Sequence, residues 1–205
     1  MFSEQVQPQG RAAQREATRR QVLLVAARLF GEHGFEGTSI RQIATDAGVS
    51  VGTVMAIGDK KHLLVEVFSD WIAEIHQKAA ELPPVAPPDD LTDALCAVVG
   101  PFLDMFLDNG ELARHYGAAL IHAGDRTRTL NLLGDRLCAE ARAAMLRFST
   151  DAEQADAVAD LLYHLYLGHL FAWAIGRFGD DELHRRMRGS IEFVVTVHRP
   201  ETTVR

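Results

Sequence analysis

The chain has 205 residues, enough for one large domain or two small ones, and 47% of them are hydrophobic, so a full core can be buried. No run of about 18 apolar residues is present, which excludes a membrane-spanning helix on sequence grounds. The net charge of −7 excludes a surface coated in basic charge, but residues 1–61 hold eight Lys/Arg and six Asp/Glu against 13 and 22 in the remainder.

The first segment, MFSEQVQPQG, lacks the basic-then-apolar pattern of a signal peptide, and residues 1–18 read as a flexible arm. Arg11, Arg15, Arg19 and Arg20 follow; they either reach phosphates or line a solvated helix face. Helix 1 comes next. Val22, Leu23, Ala26, Leu29 and Phe30 recur at helical spacing and give it one apolar face. Gly34 can take the left-handed conformation that ends a helix. Thr38 or Ser39 caps helix 2, and Ser39 with Gln42 fits a capping box. Ile40, Ile43 and Ala47 face inward, and Ala44 is small where two short helices cross. Gly48 supplies positive φ at the turn, and Ser50 caps helix 3. This is the pattern of a helix-turn-helix, which places its second helix in the DNA major groove. A mildly basic head on an acidic body suits a protein that meets DNA at one end only.

The marks Ala26-Ala27-x-x-Phe30, Gly34-Phe35, Thr38, Ile43-Ala44, Ala47-Gly48-Val49-Ser50, Gly52-Thr53 and Lys61-x-x-Leu64 occur together. On them, residues 19–68 resemble the DNA-binding domain of the tetracycline-repressor (TetR) family. The resemblance implies an all-α homodimer: a three-helix DNA domain, a connecting helix 4 and a variable ligand-binding bundle. It also implies repression of an operator relieved by a small molecule, in the cytoplasm. The implied division is an arm at 1–18, the DNA-binding domain at 19–64 and the ligand-binding and dimerisation domain at 65–205. Thr38, Thr53 and Lys61 match family positions that hold the phosphate backbone. The exposed side of helix 3 offers Ser50, Val51, Thr53, Met55 and Ala56, with no Arg, Lys, Asn or Gln for a bidentate base contact. Helix 3 is therefore expected to read thymine methyls and groove shape, and Arg41 to make the main charged or base contact. The chain departs from the family where Met55 replaces a Tyr that holds phosphate and Gly58 replaces a Phe that packs helix 3 onto helix 4. A lost phosphate contact, a lost anchor and a looser junction are the expectation.

Beyond residue 60 the pattern is helical. Helix 4 runs to about Leu82 and is stopped by the prolines at 83–88; Asp89 or Asp90 caps helix 5, which spans roughly 90–108 with a kink at Pro101. Helix 6 covers about 110–123, ended by Gly124, and helix 7 about 126–148. Asp151 caps helix 8, which runs to about Gly176; helix 9 covers about 180–198 before Pro200. Val158, Leu161, Leu162, Leu165, Leu170 and Phe171 on helix 8, with Ile191, Val194 and Val195 on helix 9, suggest a dimer seam. A ligand cavity is expected among helices 5 to 8. Its candidates are Phe102, Met105, Phe106, His115, Tyr116, His122, Tyr163, Tyr166, His169 and Trp173, whose composition favours an apolar or aromatic effector.

Other chemistries find little support. Cys96 and Cys138 are far apart and read as buried thiols in a reducing compartment. His115 and His122 lie about 10 Å apart along one helix, too far to share an ion. No metal or cofactor is expected. No nucleophile elbow, phosphate loop or H-E-x-x-H pair occurs, so a non-enzymatic regulator is the reading. The competing class is a helical ligand-binding or scaffold protein with a weakened DNA head.

Overall fold

The computed structural model describes residues 8–81, 90–123, 128–148 and 151–198. The expectations for residues 1–7, Pro83 to Asp89, Gly124 and Pro200 lie outside the described residues. Among the described residues there are nine helices and no strand: α1 (Pro8–Gly37), α2 (Ile40–Asp46), α3 (Val51–Ile57), α4 (Lys60–Glu81), α5 (Leu91–Asp108), α6 (Gly110–Ala123), α7 (Arg128–Met145), α8 (Ala152–Ala174) and α9 (Asp180–His198). The fold is all-α.

Helix α1 begins at Pro8, so residues 8–18 are helical rather than part of an arm. Proline suits the first helical turn, and the following Ala, Gln, Arg and Glu are good helix formers. Gly34 (φ 71, ψ 174) breaks the helix where the sequence placed its end, and one further turn carries the chain to Gly37. Ser39 caps α2: its Oγ accepts from the Gln42 N–H while the Gln42 side chain accepts from the Ser39 N–H, the reciprocal capping box. Gly48 has φ 67 at the turn, and Ser50 Oγ accepts from the Thr53 N–H to start α3. Asp90, not Asp89, caps α5 by accepting from the Asp93 N–H, and α5 continues through Pro101.

One contiguous core runs from the head into the body. Val22, Ala26 and Phe30 of α1 pack with Ile43 of α2, Val54 of α3 and Leu63, Leu64 and Phe68 of α4. Helix α7 packs on α8, while α9 packs on both α5 and α8. Of the residues expected at a dimer seam, Val158, Leu162, Ile191, Val194 and Val195 are buried inside the protomer, whereas Leu161 and Phe171 are exposed. Ile175, Phe193 and Val197 add further exposed apolar surface on or just after α8 and on α9.

The expected void at Gly58 is filled. Gly58 is extended (φ 173), a conformation open to any residue, but a Cβ built there would fall on the His62 ring and within 2.8 Å of His62 Cβ. His62 is held by its own N–H donating to Asp59 Oδ1 at 2.8 Å. The small residue at 58 therefore makes room for the His62 side chain in the first turn of α4. Gly58→Phe is expected to overpack the site and cost about 1–3 kcal/mol. An unchanged or higher melting temperature for that variant would show that the pocket for a ring has survived.

Candidate nucleic-acid interface and ligand cavity

The turn between α2 and α3 fixes how the head presents its outer face. Val54 is fully buried and pins α3 to the head core, so Val51 and Met55 on its other side stand 44% and 50% exposed. Ser50 is exposed and Thr53 half-buried, with their hydroxyls 2.9 Å apart. Arg41 on α2 and Lys61 at the start of α4 are exposed, and neither makes an ion pair among the described residues. Their charges are thus open to solvent. Thr38 is a correction to the expected set. It is 2% exposed, and its Oγ1 lies 3.0 Å from the Leu29 carbonyl and 2.9 Å from the Gly34 carbonyl, both of which it can serve as donor. The hydroxyl ties the end of α1 together and faces away from solvent.

A cavity of about 410 Å³ lies among α4, α5, α6, α7 and α8. Six expected residues line it: Phe102 and Phe106 from α5, Tyr116 from α6, and Tyr163, Tyr166 and Trp173 from α8. Aromatic contacts bind the wall together. Tyr116 stacks on Phe68 with centroids 4.3 Å apart, and Phe68 stacks on Phe106 at 5.6 Å. Trp173 is anchored by its Nε1–H, which donates to Asp180 Oδ1 at 2.6 Å. Burial pushes the phenols of Tyr116 and Tyr166 well above their ordinary range, so both stay protonated hydroxyls.

Other expected lining residues lie elsewhere. Met105 is half-buried against the core and does not reach the cavity wall. His169 bonds Ser190 of α9 through Nε2 at 2.9 Å, outside the cavity. The side chain of His122 is outside the described residues. His115 leaves the cavity for the head: its ring stacks on Phe35 with centroids 4.6 Å apart. His76 is among the cavity residues that were missed. It is 1% exposed, on α4, one turn beyond Ile72 and two beyond Phe68 in a buried stripe. A histidine continuing an apolar stripe was the available signal.

The head matches the family model described as bacterial regulatory proteins, tetR family, over residues 22–56. Over these residues the head is similar to the tetR-family domain. The whole chain also has the fold of solved tetR-type regulators. A TetR transcriptional regulator from Rhodococcus sp. RHA1 aligns at 21% identity over 90% of this chain and 98% of that one, with a TM-score of 0.63. The transcriptional regulator FadR from Bacillus subtilis, solved in complex with stearoyl-CoA, aligns at 15% identity over 88% and 99%, TM-score 0.60. A TetR variant from Acinetobacter baumannii AYE, solved in complex with minocycline, aligns at 17% identity over 86% and 93%, TM-score 0.57. No curated protein matches the chain. Among the described residues no helix is long and apolar enough to cross a membrane.

The tetR-type head is joined to the body by a compact junction. Lys60 Nζ donates to the Phe35 carbonyl at 3.0 Å and lies 4.3 Å over the Phe35 ring, whose plane also meets His115. The Glu111 carboxylate lies beside Gly34, since a Cβ built there would fall 2.7 Å from Glu111 Oε2. Helix α6 therefore reaches the cavity through Ala113, Tyr116, Gly117 and Leu120, and the head through Glu111 and His115.

Proposed function

We propose that this protein is a DNA-binding transcriptional regulator, a repressor that leaves its operator when a largely apolar or aromatic small molecule fills the cavity. The observation that carries the reading is the capped helix-turn-helix, with Val51 and Met55 exposed on α3 and Arg41 and Lys61 exposed without an ion pair among the described residues. In this reading Val51 and Met55 meet thymine methyls, Ser50 and Thr53 add polar contacts, and Arg41 supplies the main charged or base contact. Lys61 holds a phosphate near the N-terminus of α4, where backbone N–H groups also favour an anion. Two copies pair through the exposed apolar residues of α8 and α9, which gives the two-fold arrangement that reads paired half-sites. Effector occupancy acts on the head through α6. The complexes of FadR with stearoyl-CoA and of TetR with minocycline support an organic ligand for a cavity of this fold. The intact capping box and the His62-filled junction favour a working head over a decayed one.

The test is a mobility shift of the protein's own promoter fragment, expected at low salt and weakened at high salt. No shift at any salt concentration would reject the reading. Arg41→Ala is expected to cost about 1–3 kcal/mol of specific binding and to relax preference at the base it meets. Unchanged operator affinity in that variant would remove Arg41 from the interface. Lys61→Ala is expected to weaken binding to all sequences alike and to lower the salt slope by about one. A loss confined to one operator base pair would assign Lys61 a different role.

A further inference from the structure

The cavity wall is apolar and aromatic except at a few points, and one lining residue, His76, carries an unsatisfied nitrogen. His76 is 1% exposed, and its Nδ1 lies 2.8 Å from Glu140 Oε1 on α7. Glu140 is itself steadied by Arg136, whose Nε is 3.4 Å from Oε1 and whose Nη2 donates to the His76 carbonyl at 2.9 Å. The ring therefore cannot turn without breaking a set of bonds that spans α4 and α7. Its other nitrogen, Nε2, is buried and has no hydrogen-bond partner among the described residues. A buried polar atom left without a partner is costly, and native structures rarely keep one without a use.

The partner of Nδ1 decides what Nε2 can do. An ionised carboxylate only accepts, so the hydrogen sits on Nδ1. A hydrogen on Nε2 would have no acceptor in reach among the described residues, on a ring packed against Phe102 with centroids 4.8 Å apart. Nε2 is then an acceptor. Among the described residues no Lys, Arg, Asp or Glu lines the cavity, so nothing described there would compensate a charged ligand. The remaining polar points are the hydroxyls of Tyr116, Tyr163 and Tyr166, since the Trp173 N–H is committed to Asp180.

We propose that the effector is an uncharged aromatic molecule bearing a hydroxyl, a phenol-type ligand, and that this hydroxyl donates to Nε2 of His76. The proposal rests on the reading of the cavity as the effector site. His76 selects the ligand by its polar group, and the aromatic wall holds the ring.

Three ring-matched probes separate the possibilities: naphthalene, naphthol and naphthoate, each titrated into the full-length protein by calorimetry. Naphthol is expected to bind about tenfold or more tighter than naphthalene, the effect of one hydrogen bond made in place of an orphaned acceptor. Naphthoate is expected to bind weakest. His76→Phe keeps a ring in place and removes the acceptor, so it should bring naphthol and naphthalene to similar affinity while naphthalene binding persists. Glu140→Gln, which no longer dictates the tautomer, should shrink the naphthol preference without removing His76. The comparison of probes on the wild-type protein stands even if a variant fails to fold. Naphthoate binding tightest would overturn the proposal in favour of a charged ring. A naphthol preference that survives in His76→Phe would transfer the contact to a tyrosine and also overturn it. Naphthalene and naphthol binding equally well to the wild type would defeat the proposal while leaving the cavity reading intact. No binding of either would reject both.

Discussion

Phe68→Ala is expected to be among the most destabilising single changes in the chain, costing about 3–5 kcal/mol, the range for a buried Phe cut to Ala. Phe68 is fully buried on α4. Its ring stacks on Tyr116 of α6 at 4.3 Å and on Phe106 of α5 at 5.6 Å, and meets Trp71 edge-on at 5.0 Å. Such pairs add to area burial, so the loss exceeds that of an aliphatic residue of similar burial. The truncation would also withdraw support from Tyr116 and Phe106, which face the cavity on their other side. Ligand binding should therefore weaken along with stability. Denaturant unfolding gives the cost directly, and a loss below about 1 kcal/mol would mean that the surrounding rings collapse into the space.

Gly34→Ala carries the next largest expected effect, for a different reason. At φ 71 and ψ 174 the backbone sits in a region that is essentially glycine's alone, and strain of this kind costs about 1–3 kcal/mol. Sterics add to it, because a Cβ at residue 34 would lie 2.7 Å from Glu111 Oε2. The Gly34 carbonyl also accepts from Thr38 Oγ1, so a shifted backbone would disturb the entry to α2. A lower melting temperature with reduced operator binding is the expected result. If the variant melts like the wild type, the chain at Gly34 can adopt another turn and Glu111 can move aside.

Much of the head could be read residue by residue because its determinants are local. A capping box spans three positions, and a turn glycine needs only its own φ. Ser39, Gln42, Gly48 and Ser50 act as their neighbours in the chain dictate. Side chains whose role depends on distant partners were less legible. Thr38 carried the mark of a phosphate contact, but the bend at Gly34 brings two carbonyls to its hydroxyl. Helical period places Met105, His115 and His169 on semi-apolar faces without saying which neighbouring helix each face meets. The structure sends His115 to Phe35 and His169 to Ser190. Gly58 looked like a lost anchor because the compensating ring belongs to His62 in the next helix. His76 was overlooked because its partners, Glu140 and Arg136, lie more than 55 residues away in the chain.

Helix α4 runs unbroken from Lys60 to Glu81, across the point near residue 64 where the sequence suggests that one domain ends and another begins. Its buried stripe serves both sides: Leu63 and Leu64 complete the head, while Ile72 and His76 wall the cavity. The head is therefore not a detachable module. Excising it after residue 64 would strip Phe68 and α6 from its underside and bare Phe35, whose ring rests on His115. Chimeras that swap heads between regulators of this fold would need their splice at the end of α4, with α6 taken from the same parent.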